Sequence, residues 1–213
     1  MTGGAVSPYK VASVLLQYPT VALFDGLGEL RSAVRAGPRA TREPLGRMLD
    51  WLGGTSPDAV ARHYVETFDL RRRCALYLTY YRYGDTRKRG MAMVEFKAAY
   101  RSAGLVPAES ELPDYLPMVL DFAAAHPRGE RLLRTHRADV ELLLRALRAA
   151  GTPYADVVDA VGAALPALRR SDLAVVARAW RDGPPGEDVG LEAGTAPFAP
   201  PGYLGAAHPE GAR

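Results

Sequence analysis

The sequence predicts an all-α protein: one helical-bundle domain over residues 1–180, then a C-terminal tail over residues 181–213. Three observations carry this. Apolar residues recur with helical spacing along the first 180 positions, and no stretch alternates convincingly with period two. Helix start and stop signals return at short intervals. From Arg181 both vanish, and "RDGPPGEDVGLEAGTAPFAPPGYLGAAHPEGAR" holds 13 Gly or Pro. That composition predicts an acidic, flexible segment, with Phe198 and Tyr203 as its anchors if it docks back.

Taken in chain order, "MTGGAVSPYKVASVLLQYP" opens without a positively charged region. Its apolar run, Val11 to Leu16, is broken by Ser13 and ends at Tyr18-Pro19, so it reads as neither a signal peptide nor a membrane span. "TVALFDGLGELRSAVRAG" and "REPLGRMLDWLGG" read as helices closed by glycine. Ser56-Pro57-Asp58 supplies an N-cap, a proline for the first turn and an acid for the positive end of the dipole. "ALYLTYY" is mostly apolar and reads as helical, with part of one face in the core. In "DTRKRGMAMVEFKAAYRSAG" Asp85 is the expected N-cap. Ala92, Met93, Phe96, Ala99, Tyr100 and Ala103 then share a face before Gly104.

In "ESELPDYLPMVLDF" Pro113 is expected to open a helix, with Asp114 in its first turn and Leu116, Val119, Leu120 and Phe122 offering apolar surface. His126-Pro127 marks a helix end. "HRADVELLLRALRAAG" gives the cleanest pattern: Val140, Leu143, Leu144 and Leu147 at i, i+3, i+4 and i+7, then Gly151 as the stop. Thr152-Pro153 starts "YADVVDAVGAALPAL", and Ser171-Asp172 starts a last helix ending near Trp180. The total is about eight to ten helices joined by short connections.

Composition narrows the function classes. The chain has 213 residues, 48% hydrophobic, enough for a sizeable core. Its net charge is +3, distributed as 25 Lys/Arg against 19 Asp/Glu before Arg181 and 2 against 5 from there on. The basic excess is 24 arginines to 3 lysines, the skew of a GC-rich genome, so it is a poor argument for nucleic acid. One cysteine, Cys74, excludes an internal disulfide and a Cys-only metal site and points to a reducing, cytoplasmic location. His63, His126, His136 and His208 form no metal-ligand spacing, no phosphate-cradling glycine loop is present, and Cys74 has no nucleophile context. The chain is not expected to be an enzyme.

"TFDLRRRCALYLTYYRYGDTRKRG", residues 67–90, sets Arg71, Arg72, Arg73, Arg82, Arg87, Lys88 and Arg89 among five aromatic rings. Three readings stay open. The arginines can cap a solvated turn, bonding Asp69, Asp85 or helix C-terminal carbonyls. The rings and charged margins can hold a peptide of another protein. Or Arg71–Arg73 and Arg87–Arg89 can serve a helical nucleic-acid-binding or regulatory module.

Three segments together resemble the NarJ family: "YVETFDLRRRCALYLTYYRYGDTRKRGMAMVEFKAAYRSAG", "ELPDYLPMVLDF" and "HRADVELLLRALRAAGTPYADVV". These are assembly chaperones of respiratory nitrate reductase, also labelled delta subunits and related to TorD-type chaperones. The resemblance covers about residues 8 to 180 and implies a single all-α domain of the TorD/NarJ type. It implies a partner, the N-terminal segment of the nitrate reductase catalytic (alpha) subunit, held in the cytoplasm while iron–sulfur clusters and the molybdenum guanine dinucleotide cofactor are inserted and before membrane attachment. Cofactor-delivery proteins are further implied partners; no cofactor bound by the chaperone, no nucleic acid and no membrane insertion are expected, and a monomer is the simplest state. The family loop maps onto Asp69, Arg71, Arg72, Gly84, Asp85, Arg87 and Gly90, and the acidic helix start onto Glu111, Pro113 and Asp114. TorD-type relatives typically carry histidine after that Asp, where this chain has Tyr115. The expected client groove is lined by Tyr64, Phe68, Tyr77, Leu78, Tyr80, Tyr81, Met93 and Tyr115, with Glu66, Glu111 and Asp114 for basic peptide residues.

Overall fold

In the computed structural model, residues 6–84, 86–108 and 111–185 are described, and they form twelve α-helices. The expected count was lower because helices read as single are split. "TVALFDGLGELRSAVRAG" becomes α2 (Val21–Asp25) and α3 (Leu27–Ala36), separated at Gly26. α1 spans Pro8–Leu15, and its Ser7 cap accepts the Tyr9 amide at 3.3 Å. α4 (Arg39–Gly54) and α5 (Pro57–Tyr64) follow, the latter starting at the expected Ser56-Pro57 but with no side-chain bond from Ser56.

Between α5 and α6 the chain abandons regular helix. A single π-turn, Val65–Asp69, leads to a 3-10 turn, Arg72–Cys74. The helix expected across "ALYLTYY" does not form: only Tyr80–Tyr83, here α6, is helical. Between a bend at Leu76 and a turn at Leu78, Tyr77 makes an isolated antiparallel bridge with Tyr115. The Leu116 amide donates to the Leu76 carbonyl at 2.7 Å, and the Leu78 amide to the Asp114 carbonyl at 3.1 Å. Aromatic and branched residues favour backbone pairing when a partner is present, and the residues before α8 supply one. For the same reason α8 (Leu116–Ala125) starts later than expected. Pro113 and Asp114 lie in a turn ahead of it, and Pro117 occupies its first turn.

α7 (Arg87–Ser102) has the expected face, with Phe96 and Tyr100 buried and Met93 half-buried. Thr86 holds the cap position; Asp85, expected there, lies outside the described residues. α9 (Pro127–Thr135) folds back on α8 so closely that a Cβ on Gly129 would meet the backbone of Phe122 and Ala123. α10 (Arg137–Ala149) buries Val140, Leu143, Leu144 and Leu147 as its spacing predicted, and Gly151 beyond it has φ +67°. α11 spans Tyr154–Ala164. α12 (Arg170–Asp182) starts one residue before Ser171, because Asp172 reaches back to the Arg169 amide at 2.9 Å. It also extends past Trp180, so helix enters the stretch assigned to the tail; the remaining tail, Phe198 and Tyr203 included, lies outside the described residues.

α10 packs against α11 and α12, α11 against α4 and α1, and α8 joins α1 to α9, while α7 sits outermost against α9. Leu15, Leu16, Leu45, Leu49, Leu116, Leu120, Val140 and Leu142 fill the shared core. Leu116, Val119, Leu120 and Phe122, read as available apolar surface, belong to it. Each of these side chains contributes about 1.5–3 kcal/mol relative to exposure. No helix of the described residues is long and apolar enough to cross a membrane.

Candidate functional site

The bridge between Tyr77 and Tyr115 organises the region that the sequence singled out. Both rings are half-buried, 5.7 Å apart and tilted by 45°. The Tyr77 hydroxyl donates to Glu111 Oε1 at 2.8 Å, and burial, with that bond second, pushes the phenol up to about 12. Glu111 also accepts the Leu112 amide at 3.0 Å, and Leu112 is exposed. A half-buried aromatic pair beside a carboxylate and an exposed leucine is suited to a peptide with both apolar and basic groups.

Asp114 does not stand at a groove margin: it is fully buried. Its Oδ2 accepts the Thr79 amide at 3.1 Å and the Thr79 hydroxyl at 2.6 Å, and Oδ1 lies 3.7 Å from Arg89 Nη2. The carboxylate therefore ties the bridged segment and α7 to the turn before α8. The Arg89 guanidinium sits over two rings, 5.5 Å from the Tyr77 centroid and 5.3 Å from that of Tyr80. Arg72 donates to the Tyr80 hydroxyl at 2.8 Å, and Arg71 to the Ala150 carbonyl at 3.3 Å, beyond the end of α10.

A second buried carboxylate went unrecognised in the sequence. Asp139, on the first turn of α10, receives Arg82 Nη2 at 2.8 Å and lies 2.8 Å from His136 Nδ1. His136 is itself buried, with the Phe96 ring 4.6 Å away and Glu95 3.8 Å from its Nε2. The only signal in the sequence is a His and an Asp three positions apart at a helix start, which fixes no partner. Arg82 arrives from 57 residues upstream.

The expected groove is thus redrawn. Tyr64 and Phe68 are interior, packed edge-on around Tyr154 at 5.8 and 4.8 Å, and the Tyr64 hydroxyl donates to the Leu16 carbonyl at 3.1 Å. Tyr80 and Leu78 are buried too, and Tyr81 stacks on Trp180 at 5.9 Å, tying α6 to α12. Glu66 is exposed, and Tyr77, Glu111, Tyr115 and Met93 keep partial access. In the family loop Asp69, Arg71, Arg72, Arg87 and Gly90 are exposed, Gly84 is buried at φ +53°, and Asp85 lies outside the described residues. Cys74 is buried, and burial raises its thiol pKa. Among the described residues no group of three or more His, Cys, Asp or Glu could hold a metal ion.

The site is thus a half-buried tyrosine pair beside Glu111 on a helical domain, with Arg71, Arg72, Arg82 and Arg89 each engaged by groups of the fold. The family model described as nitrate reductase delta subunit matches residues 35–159, and the chain belongs to that family, the NarJ family. The chain is 32% identical over 160 residues to a protein of Bacillus subtilis named "Probable nitrate reductase molybdenum cofactor assembly chaperone NarJ", covering 74% of this chain and 87% of that one. It is 36% identical over 123 residues to NarJ of Escherichia coli K12, covering 56% and 52%. The nitrate reductase-like protein NarX of Mycobacterium tuberculosis is 44% identical over 155 residues, which are 72% of this chain but 23% of that longer one. The fold matches a redox enzyme maturation protein from Archaeoglobus fulgidus with TM-score 0.56 and 22% identity, covering 76% of this chain and 94% of that one. The NarJ relatives are named as assembly chaperones, in line with a chain that is not a catalyst.

Proposed function

We propose that this chain is an assembly chaperone of a respiratory nitrate reductase. It binds the N-terminal segment of the apo catalytic subunit in the cytoplasm. It keeps that subunit open to its molybdenum guanine dinucleotide cofactor and iron–sulfur clusters before membrane attachment. It acts as a monomer, takes no cofactor of its own, and meets cofactor-delivery proteins through the client.

The observation that carries this reading is the family match over residues 35–159, which contains both the 67–90 stretch and the Tyr115 turn. The client segment lies against Tyr77 and Tyr115, with Glu111 and Glu66 facing its basic residues and Leu112 and Met93 its apolar ones. Tyrosines suit this task because they add contact area and a hydrogen bond at small entropic cost. The nucleic-acid alternative, built on Arg71–Arg73 and Arg87–Arg89, is less favoured, since Arg71, Arg72 and Arg89 are engaged by a carbonyl, a tyrosine hydroxyl and rings of the fold itself.

Calorimetric titration with a peptide of the client's N-terminal segment, against a scrambled control, tests this. Holding and later release require micromolar to nanomolar affinity, about −8 to −12 kcal/mol. Tyr77→Ala combined with Glu111→Gln should weaken binding about tenfold or more, the loss expected of an anchoring aromatic. Unchanged affinity in a folded variant would move the peptide elsewhere, and no binding to either peptide would remove the chaperone reading.

A further inference from the structure

The outer face of α7 is apolar, exposed and edged with cations. At about 100° per residue, Met91, Val94 and Ala98 fall within about 60° of one another, opposite the buried Phe96 and Tyr100. Met91 is 76% exposed and Val94 57%. Just past the helix Leu105 and Val106 are exposed as well. Four of the ten large apolar side chains exposed among the described residues therefore lie between positions 91 and 106. α7 itself packs chiefly on α9 and α6. A helix that is apolar on two faces is ordinarily covered on both, and apolar groups exposed in a cluster mark a docking surface.

Charge indicates what fits there. Arg87, Lys88, Lys97 and Arg101 are exposed along α7, with no carboxylate partner among the described residues. By the same helical spacing Arg87 stands in line with the apolar stripe, Lys97 and Arg101 flank one side of it, and Lys88 flanks the other. The one acid of α7, Glu95, lies 3.8 Å from the buried His136 Nε2. Gly90, with open space where a Cβ would stand, and Ala98 let a partner backbone approach. A second copy of this chain would bring the same cations to the contact in either helix direction, and like charges oppose that pairing. A helix that lies in a membrane surface buries Trp, Phe or Leu, and the Met91–Ala98 stripe has none of them outward.

We propose that the outer face of α7 binds an amphipathic helix of another protein, one whose apolar stripe is bordered by Asp and Glu. Its aliphatic side chains pack on Met91, Val94 and Ala98, and its carboxylates meet Arg87, Lys97 and Arg101 along about 21 Å of α7. This surface lies across α7 from Arg89, which stands over Tyr77 and Tyr80, so it is separate from the proposed client face. The inference stands independently of the client reading. Exposed ion pairs are weak singly and screened by salt, so the contact is reversible.

The test titrates the full-length, ¹⁵N-labelled protein with a synthetic helical peptide of about 20 residues, carrying Leu at helical spacing and Glu on both margins. A twin with Lys for every Glu is the control. The acidic peptide should shift the amides of residues 91–101 saturably and bind about tenfold or more tightly than its twin. Lys97→Glu with Arg101→Glu should reverse that preference, which a merely disordered α7 could not do. Met91→Ser with Val94→Ser should weaken the acidic peptide about tenfold. The proposal is overturned if the two peptides bind alike, if neither binds, if the shifts fall outside α7, or if the reversed variant still prefers Glu. A dimer seen by sedimentation and lost in Met91→Ser would give the face to a second copy. Binding to phosphatidylglycerol vesicles but not to the acidic peptide would give it to a membrane, and either result overturns the proposal as well.

Discussion

Removing the Asp114 carboxylate should cost more stability than any other surface-loop change in this region, because the group is not on the surface. Asp114→Ala leaves the Thr79 amide and hydroxyl without their acceptor in a fully buried site and takes the carboxylate from beside Arg89. A hydrogen bond to a charged group contributes about 1.5–3 kcal/mol, and two are lost here, so the expected loss is about 3–6 kcal/mol. For a domain of this size that is a fall of about 6–24 °C in Tm. The assay is urea unfolding followed by circular dichroism, with Thr79→Val as a milder companion at about 1–2 kcal/mol. Because both changes break one contact, the double variant should be less destabilised than the sum, by about 1 kcal/mol or more. A loss below about 1 kcal/mol for Asp114→Ala, or strict additivity, would refute the clamp and return Asp114 to the peptide surface.

Three further outcomes follow from the same geometry. Gly84→Ala forces an L side chain into left-handed backbone against Pro185 and should lower stability by about 1–3 kcal/mol, read as a drop in Tm; a rise would mean the exit of α12 is not seated there. Cys74 should resist a thiol reagent at pH 8 and react promptly in urea, since burial raises its pKa and hides it. His63 is held below the ordinary histidine value by burial, so the unfolded chain binds the proton first and stability should fall as pH drops below about 6.5. His63→Gln should flatten that part of the stability–pH curve, and an unchanged slope would assign it to other groups.

The sequence made some of this legible because local pattern and tertiary role coincide. α10 is amphipathic by spacing and buried by the same face, and glycines 104 and 151 stop their helices at positive φ. The site was harder to read. Tyr77, Tyr80 and Tyr81 look alike in a row, yet access depends on a bridge to Tyr115 that no local rule announces. Asp114 resembles a helix-start acid because its true partners, Thr79 and Arg89, are far away in the chain. Asp139 and His136 were overlooked for the same reason, their cation being Arg82. Helical spacing finds cores; pairings made across long loops leave no periodic trace.

The Thr79–Asp114 clamp joins residues 35 apart, and that distance becomes a delay during synthesis. At about 5–20 residues per second, the bridged segment waits roughly 2–7 s for its counterpart to be made. The helices before it, built from local contacts, can form within that interval. Until the turn at Asp114 emerges, Tyr77 and its neighbours have neither a paired backbone nor the carboxylate that fixes them. A protein proposed to shelter an unfinished client thus passes through an unfinished state of its own, with the same aromatic face bare.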